Sequence, residues 1–77
     1  MNTEKIPSIF QFLNKQEVKP VHSVPFCLRL YGKKVSEIAE DCNVTRDFFY
    51  KVLVGERKPN PKIIAALETL GINPWIE

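Results

Sequence analysis

Only two of the 77 residues are cysteine and one is histidine, which removes several kinds of chemistry at the outset. Cys27 and Cys42 stand at a spacing that fits no common metal or redox motif, and His22 alone cannot complete a zinc site, so no metal and no cofactor are expected. Both thiols are expected as small buried hydrophobes. Glycine is scarce, at three residues, and the 44% hydrophobic content describes a globular chain rather than a disordered one. No apolar run approaches the roughly 20 residues that a membrane-spanning helix needs. The stretch from Met1 to Pro7 lacks a basic region followed by a long apolar run, so it is not a secretory signal and a cytoplasmic location is expected. There is no glycine-rich phosphate loop and no Ser-His-Asp set, and the carboxylates fall on solvent-facing positions; the chain is not expected to be an enzyme.

A chain of this length forms one domain, and such a domain buries only about 60% of its unfolded surface. A partner subunit would add to that. The most legible stretch runs from Val35 to Gly55. Val35, Ile38, Ala39 and Cys42 recur at helical spacing and form one apolar stripe. Asn43 should end that helix, because asparagine readily takes a left-handed backbone and permits a sharp reversal. Val44 then points back into the angle, Thr45 caps a second helix, and Phe49, Val52 and Leu53 supply its inner stripe. With Phe49 inward and about 100° per residue, Asp47, Tyr50, Lys51 and Val54 face out, and Arg46 stands at the exposed start. A helix that presents those side chains beyond a rigid reversal has the dimensions of a probe for the DNA major groove.

Net charge is +2 and argues little, but its distribution argues more. Between Arg29 and Lys62 stand eight basic and five acidic residues; Glu37, Glu40 and Asp41 lie on the first helix of the pair, while Arg46, Lys51, Arg57, Lys58 and Lys62 follow it. A surface that meets phosphates needs that asymmetry.

Ile38-Ala39, Asn43-Val44-Thr45, Phe49 and the run Val52 to Pro59 resemble the helix-turn-helix of the phage repressor and Cro family, also called XRE-like or lambda-repressor-like. The likeness covers roughly residues 26 to 75. It implies an all-α bundle of four to five helices with an N-terminal arm, binding a palindromic double-stranded DNA operator as a homodimer whose recognition helices stand about 34 Å apart. It further implies base contacts from Arg46, Asp47, Tyr50 and Lys51. Arg46 can grip guanine in a bidentate fork, Asp47 can accept from cytosine or orient Arg46, Tyr50 can reach a thymine methyl or a phosphate, and Lys51 can reach guanine or a phosphate. Lys33, Lys34, Thr45, Arg57 and Lys58 would hold backbone phosphates and set the register. Phe48 flanks this face and is expected to pack on the following loop.

The flanks divide into an arm and linker over residues 1–20 and the DNA-binding domain over residues 21–77. Pro7 to Leu13 reads either as a short helix with Ile9, Phe12 and Leu13 on one face or as a single strand. A strand would pair with its copy in another subunit, since no second alternating run exists here; otherwise the arm packs over its own domain. A first bundle helix begins after His22 or Ser23, with Pro25 in its first turn and Gly32 as its stop. The last helix runs from Pro61 to Leu70, capped by Asn60 and ended by Gly71, with Ile63, Ile64, Leu67 and Leu70 inward. Trp75 and Ile76 either fold back on the bundle or join Phe10 and Phe12 in a dimer interface. The competing reading is a protein-interaction module, antitoxin-like or antirepressor-like, that keeps the fold without specific DNA binding; Val35 and Val54, where the family carries polar side chains, favour it. In either case a chain of 8.9 kDa has little room for a sensing domain, so control would come from concentration or a protein antagonist.

Overall fold

Proline opens and left-handed backbone closes the helices of this chain, and the positions of both account for the architecture. The computed structural model describes residues 3–75. A 3-10 turn, Thr3–Lys5, leads into five α-helices: α1 Ile6–Lys15, α2 Pro20–Leu30, α3 Val35–Asp41, α4 Arg46–Val54 and α5 Pro61–Thr69. No strand occurs among the described residues. Pro7, Pro20 and Pro61 each stand in a first turn, where a missing N–H removes no helical bond.

All five helices end alike. Glu17, Gly32, Asn43, Gly55 and Gly71 have φ of 62°, 76°, 58°, 92° and 74°. The N–H of the next residue donates to a carbonyl five positions back at 2.9–3.0 Å: Val18 to Leu13, Lys33 to Leu28, Val44 to Ala39, Glu56 to Lys51 and Ile72 to Leu67. This reversal satisfies a carbonyl that would otherwise lack a partner and turns the chain sharply. At Asn43 the structure agrees with the sequence; at Glu17 the same geometry is adopted by a residue with no special preference for it.

Helices this short gain too little from their own hydrogen bonds to persist alone. They share one core. Ile6 and Phe10 of α1, Val24, Cys27 and Leu28 of α2, Ile38 and Ala39 of α3, Phe49, Val52 and Leu53 of α4, and Ile63 and Leu67 of α5 are all buried, together with Cys42 and Ile72. The sheet-like alternative for the N-terminal segment is thereby replaced by a helix packed against α2. Its inner face is also corrected: Ile6, Phe10 and Leu13 turn inward, while Phe12 is 59% exposed. Two apolar stripes exist on this short helix, and the one that continues to Ile6 buries more surface.

A second correction concerns α2. It starts at Pro20, not after His22 or Ser23, so Pro25 lies inside the helix, and it therefore offers no N–H to the Val21 carbonyl. The extra turn brings Val21 onto the core stripe with Val24 and Leu28, which offsets the lost bond. At the other end Tyr31 donates its hydroxyl hydrogen to the Leu70 carbonyl at 2.5 Å, tying the close of α2 to the close of α5. In α5, Ile63 and Leu67 are buried, whereas Ile64 and Leu70 are half-buried, with Leu70 at the cap. Beyond it Asn73 Oδ1 accepts the Trp75 N–H at 2.8 Å, and Trp75 folds back against the core. Ile76 lies outside the described residues.

Two tests follow from this packing. A Cβ on Gly71 would meet Pro7 Cγ at 2.7 Å, whereas one on Gly32, at a similar φ, would meet nothing within 4 Å. Gly32→Ala should cost about 1–2 kcal/mol from backbone strain alone, and Gly71→Ala should cost clearly more in urea denaturation. Equal costs would mean that α1 does not dock against the end of α5. Ser23 is buried and its Oγ has no hydrogen-bond partner among the described residues. Ser23→Ala should therefore stabilise by about 1 kcal/mol, raising the thermal midpoint by about 4–8 °C; a lowered midpoint would contradict the unpaired hydroxyl.

Candidate nucleic-acid interface

The outer face of α4 is set by what the inner face buries. Phe49 and Val52 are at most 1% exposed, which fixes the rotation of the helix and leaves Arg46, Asp47 and Val54 exposed, with Tyr50 and Lys51 half-buried. Thr45 sits at the N-cap in extended backbone, and its Oγ1 accepts the Phe48 N–H at 3.0 Å. A hydroxyl that accepts in this way keeps its own hydrogen to donate outward. Phe48, expected to pack on the following loop, is half-buried against the core.

Two side-chain pairs one turn apart organise the exposed ridge. Lys51 Nζ lies 3.3 Å from Asp47 Oδ2, with Asp47 80% exposed. Such an exposed pair contributes only about 0.3–0.5 kcal/mol, so either partner can be drawn to another ligand at little cost. Arg46 lies over the Tyr50 ring, its Cζ 5.9 Å from the centroid. That stacking offsets the unfavourable placing of a cation at a helix N-terminus.

Beside this ridge opens a cleft of about 480 Å³. The end of α2 contributes Pro25 and Arg29, the following reversal gives Gly32, Lys33 and Lys34, the first turn of α3 gives Val35 and Ser36, and α4 gives Arg46 and Tyr50. Four cations line it and, among the described residues, no carboxylate does. Sequence reasoning anticipated Lys33, Lys34, Arg46 and Tyr50 as contact residues but missed Arg29 and Ser36. Arg29 reads as an ordinary exposed residue of α2, and only the turn at Gly32 brings it to the same cleft as α4.

The remaining expected contacts lie elsewhere. Arg57 and Lys58 are exposed in the loop after α4, where Arg57 Nη1 donates to the Glu56 carbonyl at 3.1 Å. Lys62, on the first turn of α5, lies near Cys42 rather than with them. Of the residues expected at a dimer interface, Phe10 is only 2% exposed and belongs to the protomer's own core, Phe12 stands exposed on α1, and Trp75 is half-buried. Cys27 and Cys42 are free and buried, and burial pushes both thiols above their ordinary pKa; at Cys42 the nearby Asp41 adds to this and Lys62 partly opposes it. They are unsuited to act as nucleophiles at neutral pH. Among the described residues no helix is long and apolar enough to cross a membrane.

Comparison of the chain with protein-family models, with curated proteins and with solved structures finds no match in any of the three.

The cap at Thr45 can be tested apart from any ligand. Thr45→Ala should lower stability by about 1 kcal/mol, with Thr45→Ser close to wild type, as read from urea midpoints. An unchanged midpoint in the alanine variant would show that the start of α4 does not depend on this hydroxyl.

Proposed function

We propose that the chain is a sequence-specific, double-stranded DNA-binding regulator, in which α3 and α4 act as a helix-turn-helix and α4 enters the major groove. One observation carries the reading. Cationic groups lie at both ends of α4, Lys33, Lys34 and Arg46 at its start and Arg57 and Lys58 after its end, with the polar ridge of Asp47, Tyr50 and Lys51 between them. Nine residues at 1.5 Å each span about 13 Å, close to the roughly 12 Å width of the major groove. A helix of that length can place its two ends near the two phosphate backbones while its middle faces base edges.

In this reading Thr45, Lys33, Lys34, Arg57 and Lys58 position the protein, and Asp47, Tyr50 and Lys51 face the bases. A single such helix covers too few base pairs for useful specificity, so the protein acts as a homodimer on a palindromic operator, in the manner of a phage-type repressor. Of the residues expected at the dimer interface, exposed Phe12 and half-buried Trp75 are accessible for pairing. A cytoplasmic location accords with this role. The second reading, a protein-interaction module, draws support from the exposed apolar side chains Phe12, Phe26 and Val54.

A binding titration against the DNA upstream of the protein's own gene, with a random-sequence duplex as control and at two salt concentrations, separates the two. The regulator reading expects nanomolar binding to the upstream DNA that weakens steeply with salt, and an Asp47→Ala/Lys51→Ala variant that loses discrimination between the duplexes. Equal, weak binding of the wild type to both duplexes would favour the interaction module.

A further inference from the structure

The cleft beside α4 is chemically one-sided. Arg29, Lys33, Lys34 and Arg46 supply guanidinium and ammonium donors, and Ser36 and Tyr50 add hydroxyls. Among the described residues no carboxylate lines it, although the chain as a whole carries nine acidic residues to eleven basic. A second cleft, about 330 Å³ between α1 and the end of α5, carries Gln11, Asn14, Asn73 and Glu68 and, among the described residues, no cation. Of these two clefts, the first is the one where described cations gather. Four like charges around one concavity repel one another, and an anion seated among them removes that repulsion. Every polar side chain of the described lining can donate a hydrogen bond and none is an obligate acceptor. The complementary ligand is an anion made of acceptors, and planar guanidinium groups suit the oxygens of a phosphate.

The placing of Arg46 narrows the inference. Its guanidinium is laid back along the helix over Tyr50, one turn on, and both residues line the cleft. Arg46 is thus gathered over Tyr50 at the cleft that Arg29 also lines, where one anion can meet both guanidinium groups.

We propose that this cleft is a phosphate-binding site, filled in the DNA complex by one phosphodiester group of the duplex, and that Arg46 belongs to it together with Arg29 rather than to the base-reading ridge. Asp47 and Lys51 then carry the sequence discrimination. The identity of the ligand as a duplex rests on the regulator reading above; the chemistry of the site does not.

Two measurements on the full chain test it. In the first, the duplex best bound by the wild type in selection from a random pool is compared with a random-sequence duplex. Arg29→Ala and Arg46→Ala should each weaken binding to both duplexes by the same factor, with the slope of log affinity against log salt falling by about 0.9 per removed contact. A loss of discrimination of about tenfold or more in Arg46→Ala would make Arg46 a base reader and overturn the assignment. In the second, the free protein is titrated with inorganic phosphate at constant ionic strength and followed by amide NMR. Saturable shifts confined to the Gly32–Ser36 segment and the start of α4, absent in the Arg29→Ala/Arg46→Ala variant, support the site. Shifts scattered over the surface lysines, or equal shifts in the double variant, overturn it. Should the wild type fail to discriminate among duplexes, the regulator reading falls, and the phosphate titration still decides the cleft.

Discussion

Every element of this protein depends on burying an apolar stripe that its own helix is too short to stabilise. The helices have seven to eleven residues, and each reaches the native state only because the others cover its inner face. The rotation of α4, and with it the identity of the exposed ridge, follows from the complete burial of Phe49 alongside Val52. Placement of the candidate site is therefore a by-product of core packing. Arg46, Asp47, Tyr50 and Lys51 stand outward because the other face of the helix is occupied.

The α3–α4 pair was legible because local chemistry and periodicity agree there. Asn43 takes a left-handed backbone, Thr45 caps, and the stripes before and after them can meet in only one way. The N-terminal third was less legible for a definite reason. Ile6, Ile9, Phe10, Phe12 and Leu13 crowd one short segment, so two faces satisfy the helical period equally, and the choice between them is made by the surface of α2, which no local pattern reveals. The start of α2 misled similarly: Pro20 and Pro25 both carry the mark of a first turn, and burial of Val21 decides for the earlier one. At the cleft, Lys33 and Lys34 were visible as cations at a helix start, yet Arg29 joins them only through a reversal that brings two helices together.

Charge runs against local helix preference at several helix ends, Lys62 in the first turn of α5 and Asp41 at the close of α3 among them, and three such cations gather at one cleft. Lys33 and Lys34 precede α3 and Arg46 opens α4, all near the positive ends of their helices. By contrast Asp47 and Glu37, each in a first turn, and Arg29, in a last turn, follow that preference. Departures of this kind cost little singly, and their convergence on one cleft is what separates them from chance surface charge.

The fold-back of Trp75 against the core has an optical consequence. It is the chain's single tryptophan and lies at the far end of the sequence from α1. Indole emission therefore reports the docking of the C-terminal turn, whereas far-ultraviolet circular dichroism reports the helices as a set. In a molecule whose helices stand or fall together, the two signals should trace one transition, and any separation between them would reveal that the last turn is released before the bundle opens.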